Sequence, residues 1–186
     1  MHRVLPFILL AGIVASVSPA IAEDGPPPRQ AQVVALDECD PTTFNPVLGE
    51  DGTGFCHNVT LYGLGLHFET PLEQLIGQAN SGTPDPGWDF EPDQLTIQKG
   101  TALSVVDQGG EPHTFTEVAQ FGGGFVEALN HGEAIVPECA GGFKNVAVAR
   151  TRILQGSTLA VTGLSRGKHL FQCCIHPWMH MEVDVK

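Results

Sequence analysis

The sequence predicts a mainly β protein: a β-sandwich over residues 88–186, preceded by an acidic N-terminal extension, residues 23–87, that contains a short helix. Three observations predict this. After residue 88, short apolar runs alternate with turn residues, the pattern of a sandwich of short strands. After residue 70, apolar residues recur at helical spacing. Residues 36–57 are rich in Asp, Pro, Gly and Thr, and we expect them to form a loop.

The first 22 residues have the features of a secretory signal peptide. Arg3 supplies the basic start, residues 4–17 are largely apolar, and Ala20-Ile21-Ala22 is a small-residue cleavage site. The apolar stretch is shorter than the roughly 20 residues that a membrane-spanning helix needs. We therefore expect cleavage after Ala22, a mature chain with no membrane span, and a periplasmic or secreted location.

Within the extension, residues 23–35 open on a polar, proline-rich stretch and are expected to be a flexible leader. Residues 59–62 predict a short strand. Thr70 is the predicted N-cap of a helix, with Pro71 at its first position and Glu73 completing a capping box. The apolar face of that helix consists of Leu72, Leu75, Ile76 and Ala79.

Six segments after Trp88 predict strands because they are short, apolar and bounded by turn residues. A long connection, residues 119–145, with a short helical piece, separates two groups of them; loops of that length in compact domains are typically functional or disordered. The predicted strands are residues 90–97, 102–106, 146–148, 159–161, 169–171 and 181–185.

The chain is acidic, with a formal net charge of −12. Residues 23–93 hold thirteen Asp and Glu and one Arg, whereas residues 94–186 hold eight acids and seven Lys and Arg. Nucleic-acid binding needs the opposite sign, so it is excluded as a function. An acidic face keeps an exported protein soluble, and it can also steer a basic partner.

The chain has five cysteines, and the oxidising compartment of an exported protein favours disulfides. Because disulfides use cysteines in pairs, one cysteine of the five stays unpaired. Cys39 and Cys56 lie together in the acidic part and form one candidate pair. Cys139 and Cys174 form a second candidate pair, which leaves Cys173 as a free thiolate for a metal. The sequence alone does not fix this connectivity, so the pairing is a hypothesis.

The segment of residues 171–179 brings a thiolate, an imidazole and a thioether together in one turn, from Cys173, His176 and Met179. These soft and borderline donors favour copper over zinc, calcium or magnesium. His113, which follows an apolar run, is a second candidate imidazole. One Cys and two His with a weak axial Met is the ligand set of a blue-copper electron-transfer centre.

Residues 88–186 resemble the cupredoxins, the family of plastocyanin, amicyanin and pseudoazurin. The resemblance implies a Greek-key β-sandwich that binds one copper ion, as Cu(I) or Cu(II), at one end. It implies that His113, Cys173 and His176 are the equatorial ligands and that Met179 is the axial one. The matching motifs are Phe90-x-Pro92-x-x-Leu95-Thr96-Ile97-x-Lys99-Gly100, Glu111-Pro112-His113-Thr114 and Gly167-x-x-Leu170-Phe171-x-Cys173-x-x-His176-Pro177-x-Met179.

Alternatives to this ligand set remain open. Cys174 stands where the family has a small polar residue, and strand alternation points Cys173 inward and Cys174 the other way. Met181 would give the longer loop of plastocyanin, and Met179 the shorter one of amicyanin, which we prefer. His180 or Glu117 could join the copper in a less typical site. The other histidines considered, expected on the surface or in the core, are His57, His67, His131 and His169. The expected apolar collar of the site consists of Phe115, Pro177 and Trp178.

The function expected from this ligand set is single-electron transfer between redox partners. The alternative is a copper carrier that uses the same ligands without redox turnover, and the cluster Met179-His180-Met181 keeps that alternative open. An enzyme is not expected, because Gln172 and Cys174 flank Cys173 where multicopper oxidases carry a His-Cys-His run. The expected partner is a redox protein or a copper-handling protein, and the chain is expected to be a monomer.

Overall fold

The structure, a computed structural model, describes residues 29–51, 56 and 70–186, and for residues 48–51 it describes the backbone alone. The predicted signal peptide and the strand predicted at 59–62 lie outside these residues. Among the described residues, no helix has the length and apolar character that crossing a bilayer requires.

Ten strands and three helices build the described chain. The strands are β1 (Gln30–Leu36), β2 (Asp89–Glu91), β3 (Gln94–Ile97), β4 (Ala102–Asp107), β5 (His113–Thr114), β6 (Thr116–Val118), β7 (Arg152–Ile153), β8 (Thr158–Val161), β9 (Gly167–Gln172) and β10 (His180–Val185). The helices are α1 (Pro41–Asp51), α2 (Leu72–Ser81) and α3 (Val146–Arg150), and single 3₁₀ turns lie at Glu127–Leu129, Pro137–Cys139 and Gly142–Lys144.

The strands form two four-stranded sheets and one two-stranded sheet. In the first sheet the order is β2-β1-β4-β8, and β1 runs parallel to β4 but antiparallel to β2. In the second sheet the order is β3-β10-β9-β6, and β10 runs parallel to β3 but antiparallel to β9. The small sheet pairs β5 with β7. The predicted mainly β, two-sheet architecture is therefore confirmed.

One hydrophobic cluster joins the inner faces of the two large sheets. Val33 from β1 and Leu103 from β4 meet Val183 from β10 in this cluster, and all three are fully buried. The ring of Phe115 stacks on Phe171 at a centroid distance of 4.3 Å and meets Phe90 edge-on at 5.2 Å. Phe115 therefore belongs to the core between the sheets.

Strand β1 corrects the prediction of a flexible leader over residues 23–35. Residues 30–36 occupy an interior position of the first sheet, between β2 and β4, with Val33 and Ala35 fully buried. The apolar alternation of β1 is short, and its parallel partner β4 lies far along the chain, so the local composition did not reveal it. The division of the mature chain at residue 88 stays a prediction, and the described residues on its two sides share this sheet.

Helix α1 corrects the prediction of a loop over residues 36–57. Asp40 caps the helix, because its Oδ1 accepts from the Thr42 backbone N–H at 2.9 Å, and Pro41 stands at the first helical position. An Asp followed by Pro is a helix-start signal that the sequence carries. Phe44 then anchors α1 in the core with no exposed surface.

Helix α2 is confirmed, but it begins at Leu72, so Pro71 and not Thr70 is at the cap position, and no side chain forms the predicted capping box. The Thr70 backbone pairs with Cys39, and its hydroxyl donates to Asp85 at 3.1 Å. The first free backbone N–H of the helix, at Leu72, instead donates to Thr43 Oγ1 from α1 at 3.0 Å. A capping partner from another helix was not visible in the local sequence.

Residues 146–148 lie in α3, so the strand predicted there was wrong. The Asn145 side chain accepts from the Ala147 backbone N–H at 2.9 Å and caps this single helical turn. Val148 packs with Val136 and Cys174 in a second hydrophobic cluster, which includes outward-facing residues of the second sheet. The long connection of residues 119–145 therefore covers the outer face of that sheet.

Candidate metal centre

Three buried side chains with metal-ligating atoms meet at one end of the sheets: His113, Cys173 and His176. One ligating atom from each lies within 4.8 Å of the others. Cys173 Sγ is 3.8 Å from His113 Nδ1 and 3.8 Å from His176 Nδ1. A thiolate between two imidazole nitrogens is a donor set that fits copper and that can hold a metal ion.

The strands around Cys173 fix the distance between it and His113. His113 lies in β5, whose partner is β7, and the next residue, Thr114, reaches across to the cysteine loop. The Thr114 backbone N–H donates to Cys173 Sγ at 3.4 Å, and Thr114 Oγ1 accepts from the Cys174 backbone N–H at 2.7 Å. These contacts hold the two ligand-bearing segments together through the protein itself.

The turn after Cys173 is closed by Met179. The Met179 backbone N–H donates to the His176 carbonyl at 2.9 Å, and its carbonyl accepts from the Cys173 N–H at 2.9 Å. The Met179 side chain is fully buried. Met181, the alternative axial ligand, lies opposite Phe171 in β10, among the core residues of that strand. The assignment of Met179 as the fourth ligand stays a prediction.

Each histidine of the cluster has a buried carboxylate behind it. His113 Nε2 is 2.9 Å from Asp37 Oδ2, and His176 Nε2 is 3.3 Å from Glu111 Oε2. A carboxylate on Nε2 keeps the proton on that nitrogen and leaves Nδ1 free for a metal. The sulfur lies on the Nδ1 side of both rings, as this tautomer requires.

Asp37 and Glu111 were missed by the sequence analysis. Asp37 follows β1 in a segment interpreted as leader and loop, and 76 positions separate it from His113. Its Oδ2 also accepts from the Glu111 backbone N–H at 3.0 Å, so the two carboxylate-bearing segments are joined. Glu111 lies two residues before His113, in the motif that carries the resemblance, and that position was the available signal.

The electrostatics of the cluster favour a thiolate at Cys173. Burial would raise the pKa of the Cys173 thiol, but hydrogen bonds from His113 and His176 and their charges lower it well below its usual value. Burial would lower the pKa of His113, but Asp37 and Cys173 raise it well above its usual value. In the metal-free protein these shifts favour a thiolate beside an imidazolium, and a bound metal ion would displace the proton on Nδ1, because a metal binds thiolate and neutral imidazole.

A third buried carboxylate, Asp107, lies beside this cluster. Its Oδ1 accepts from the Gly109 backbone N–H at 2.9 Å, and its buried Oδ2 has no hydrogen-bond partner among the described residues. Burial raises the pKa of Asp107 to about 7; His113 and the Gly109 N–H lower it, while the negative charges of Asp37 and Cys173 raise it further. Asp107 is therefore poised between its neutral and charged forms near neutral pH.

Two tryptophans shield the imidazole of His176. The Trp88 ring meets His176 edge-on at a centroid distance of 4.8 Å, and the Trp178 ring lies 5.6 Å from it. Phe44 from α1 stacks on Trp88 at 5.8 Å. His176 is consequently only 1% exposed. Of the predicted collar, Trp178 contacts His176, whereas Phe115 belongs to the core, and Trp88 was not anticipated.

The remaining candidate residues lie apart from the cluster. His180 is exposed and stacks on Phe121 at 4.4 Å. Glu117 pairs with His169 at 2.6 Å rather than with the cluster. His131 is exposed and its Nδ1 lies 2.7 Å from the Asn80 carbonyl oxygen. The other two histidines considered, His57 and His67, lie outside the described residues.

The disulfide hypothesis is confirmed. Cys39 is bonded to Cys56 and Cys139 to Cys174, and Cys173 is the free cysteine, fully buried. Cys173 joins the core cluster between the sheets, while Cys174 joins the cluster on the outer face. The alternation that assigned Cys173 inward and Cys174 outward is therefore correct.

Comparisons with known proteins find similarity to solved structures alone. No family model matches the chain, and no curated protein does. Among solved structures, it is similar to a purple cupredoxin from Nitrosopumilus maritimus, with 15% identity, a TM-score of 0.35 and coverage of 55% of this chain and 86% of that one.

Point mutants of amicyanin are similar at the same level. One of them, in the reduced state, has 17% identity and a TM-score of 0.32, and the match covers 52% of this chain and 71% of that one. Another, with Cu(I), has 15% identity and a TM-score of 0.34, and the match covers 53% of this chain and 73% of that one. In its two packed β sheets, with His113, Cys173, His176 and Met179 buried together, this chain resembles the cupredoxins.

Proposed function

We propose that this chain is an exported type 1 copper protein that carries single electrons between redox partners. His113, Cys173 and His176 are the proposed equatorial ligands, and Met179 is the proposed axial ligand. The observation that supports this most directly is the position of Cys173 Sγ, buried and 3.8 Å from Nδ1 of each histidine.

Copper bound to thiolate and imidazole exchanges one electron between Cu(I) and Cu(II), which is the chemistry the metal supplies here. The protein keeps the ligands in place during that exchange. Asp37 and Glu111 hold the two imidazoles by Nε2, and the Thr114 N–H holds the sulfur. Ligands that the protein holds by hydrogen bonds on the side away from the metal move little when the charge of the metal changes. Electron exchange is then fast, because little structural reorganisation is needed.

The burial of the ligands favours an electron carrier over a copper carrier. A carrier that passes its ion to another protein needs ligands that the acceptor can reach. His176 is 1% exposed, and Met179 is fully buried. The cluster that kept the carrier alternative open is also divided, because Met181 joins the core while His180 stacks on Phe121 at the surface.

Two disulfides support the proposed export. Cys39–Cys56 and Cys139–Cys174 are structural bonds of the kind that persist in oxidising compartments. A periplasmic or extracellular location is consistent with them, and it follows independently from the predicted signal peptide.

The test is visible spectroscopy and voltammetry on the processed protein loaded with Cu(II). An intense thiolate-to-copper band together with a reversible one-electron couple is the expected result. Cys173→Ser should abolish the band. The matched control is the double variant Cys139→Ser/Cys174→Ser, which removes the neighbouring sulfur without leaving an unpaired thiol and should retain the band. A colourless protein that holds only Cu(I) would refute the electron-carrier proposal in favour of the carrier.

A further inference from the structure

A hollow on the surface is lined by the two indoles that contact His176. It has a volume of about 280 Å³, and Trp88 and Trp178 line it. Asp85, Asp89 and Asp93 line it as well, and we call it the Trp88–Trp178 hollow. Trp178 is half-buried, whereas Trp88 is almost fully buried.

The two indoles connect this hollow to His176. Their ring centroids lie 4.8 Å and 5.6 Å from that imidazole, so each is in contact with a proposed copper ligand. His176 itself is almost fully buried, with Glu111 behind its Nε2 and 1% of its surface exposed. Within the described part of the chain, the electron therefore has a short route to the surface through Trp88 or Trp178 into this hollow.

The hollow is also strongly acidic. None of Asp85, Asp89 and Asp93 forms a salt bridge with a Lys or Arg of the described residues. Their hydrogen bonds come from neutral groups, such as the Gly87 backbone N–H on Asp85 and the Phe90 backbone N–H on Asp89. The described residues thus leave the charge of these three carboxylates without a Lys or Arg partner, whereas a fourth carboxylate of the hollow, Glu182, pairs with Lys168 at 2.6 Å.

A second cavity is lined by His176 itself but has a different character. It has a volume of about 220 Å³, and Phe44, Leu72 and Leu75 are among the apolar residues that line it. Among the described side chains in its walls, Glu111, already paired with His176, is the one carboxylate. This second cavity therefore has far less negative charge with which to attract a basic partner than the Trp88–Trp178 hollow has.

We propose that the Trp88–Trp178 hollow is the docking surface for a basic one-electron carrier protein. This rests on the proposed function. The reduced centre gives one electron to the oxidised partner, so that Cu(I) becomes Cu(II) while the partner is reduced by one electron. Complementary charge would steer the partner to the hollow and orient it above the indoles. Exposed Phe121, stacked on His180 at the edge of the hollow, adds an apolar contact.

The experiment uses cytochrome c, a basic haem protein, as the probe. The rate of electron exchange with the copper-loaded protein is measured by stopped flow at low and high ionic strength. In Asp89→Asn/Asp93→Asn the rate at low ionic strength should fall about tenfold or more, and its dependence on salt should weaken. The matched control, Glu73→Gln/Glu127→Gln, removes two exposed acids outside the hollow and should exchange electrons as the unmodified protein does. With the anionic oxidant hexacyanoferrate(III), the rate should not fall in either variant.

An NMR titration locates the contact without relying on electron transfer. The chain has two tryptophans, so its two indole N–H signals report on the hollow directly. Cytochrome c should shift the Trp178 signal in the unmodified protein and not in Asp89→Asn/Asp93→Asn. Shifts elsewhere, or equal exchange rates in both double variants, would overturn the docking surface while leaving the proposed function standing. A protein with no reversible couple would overturn the proposed function, and the electron-transfer role of the hollow with it.

Discussion

Replacing Asp107 with Asn should stabilise the metal-free protein, and the gain should grow with pH. The pKa of Asp107 is raised from 3.8 to about 7 in the folded protein, chiefly by burial. Below pH 3.8 the carboxyl is neutral whether the chain is folded or not, so its ionisation costs folding nothing there. Above that pH the unfolded chain ionises first, and the cost rises until about pH 7. At about 1.4 kcal/mol per pKa unit, the full cost is at most about 4 kcal/mol.

Asn is a suitable replacement because its Oδ1 can still accept from Gly109. Its NH₂ group replaces Asp107 Oδ2, which has no hydrogen-bond partner among the described residues, so no hydrogen bond is lost. Urea unfolding of the metal-free protein and of Asp107→Asn is compared at about pH 5 and about pH 8. The free energies of unfolding should differ by about 2 kcal/mol at the lower pH and by up to about 4 kcal/mol at the higher one. The exposed Asp93→Asn controls for the loss of one charge. A difference that is constant with pH, or a variant destabilised at the higher pH, would refute the reasoning.

Three further outcomes are expected. Asp37→Asn, which removes the charge behind His113, should weaken copper binding about 10- to 100-fold in competition with a chelator; unchanged affinity would contradict its positioning role. Cys139→Ser/Cys174→Ser opens a loop of 35 residues and should lower the free energy of unfolding, measured by urea unfolding, by about 4 kcal/mol. A loss below about 1 kcal/mol would contradict a structural role for this disulfide. Asn145→Ala removes the cap of α3 and should cost about 1 kcal/mol in the same assay, whereas Asn145→Asp, which keeps the acceptor, should cost less.

The candidate site was predictable because most of its ligands belong to a short motif. Cys173, His176 and Met179 lie within seven residues, and a turn of that length can place them together only in a few ways. Alternation that continues past the end of β9 then distinguishes Cys173 from Cys174. The local sequence is sufficient for such residues because their neighbours in space are also their neighbours in the chain.

The surroundings of the ligands were not predictable in the same way. Asp37 meets His113 only because β1 lies parallel to β4, and no local pattern reports a parallel pairing between distant strands. Trp88 stacks on Phe44 of α1 and contacts His176, and both partners lie far from it in the sequence. In contrast, α1 was predictable in principle, because Asp40 followed by a proline is a local helix-start signal.

Strand β1 places residues 30–36 inside the sheet and brings Asp37 to the candidate metal centre. It fills the place between β2 and β4, and Asp37 follows it directly. Production of residues 88–186 by themselves would leave the backbone donors and acceptors of β4 open along one side. An open, apolar strand edge is a template for association with other chains. A shortened protein of that kind would therefore tend to aggregate, and it would lack the carboxylate behind His113 even where it stayed in solution.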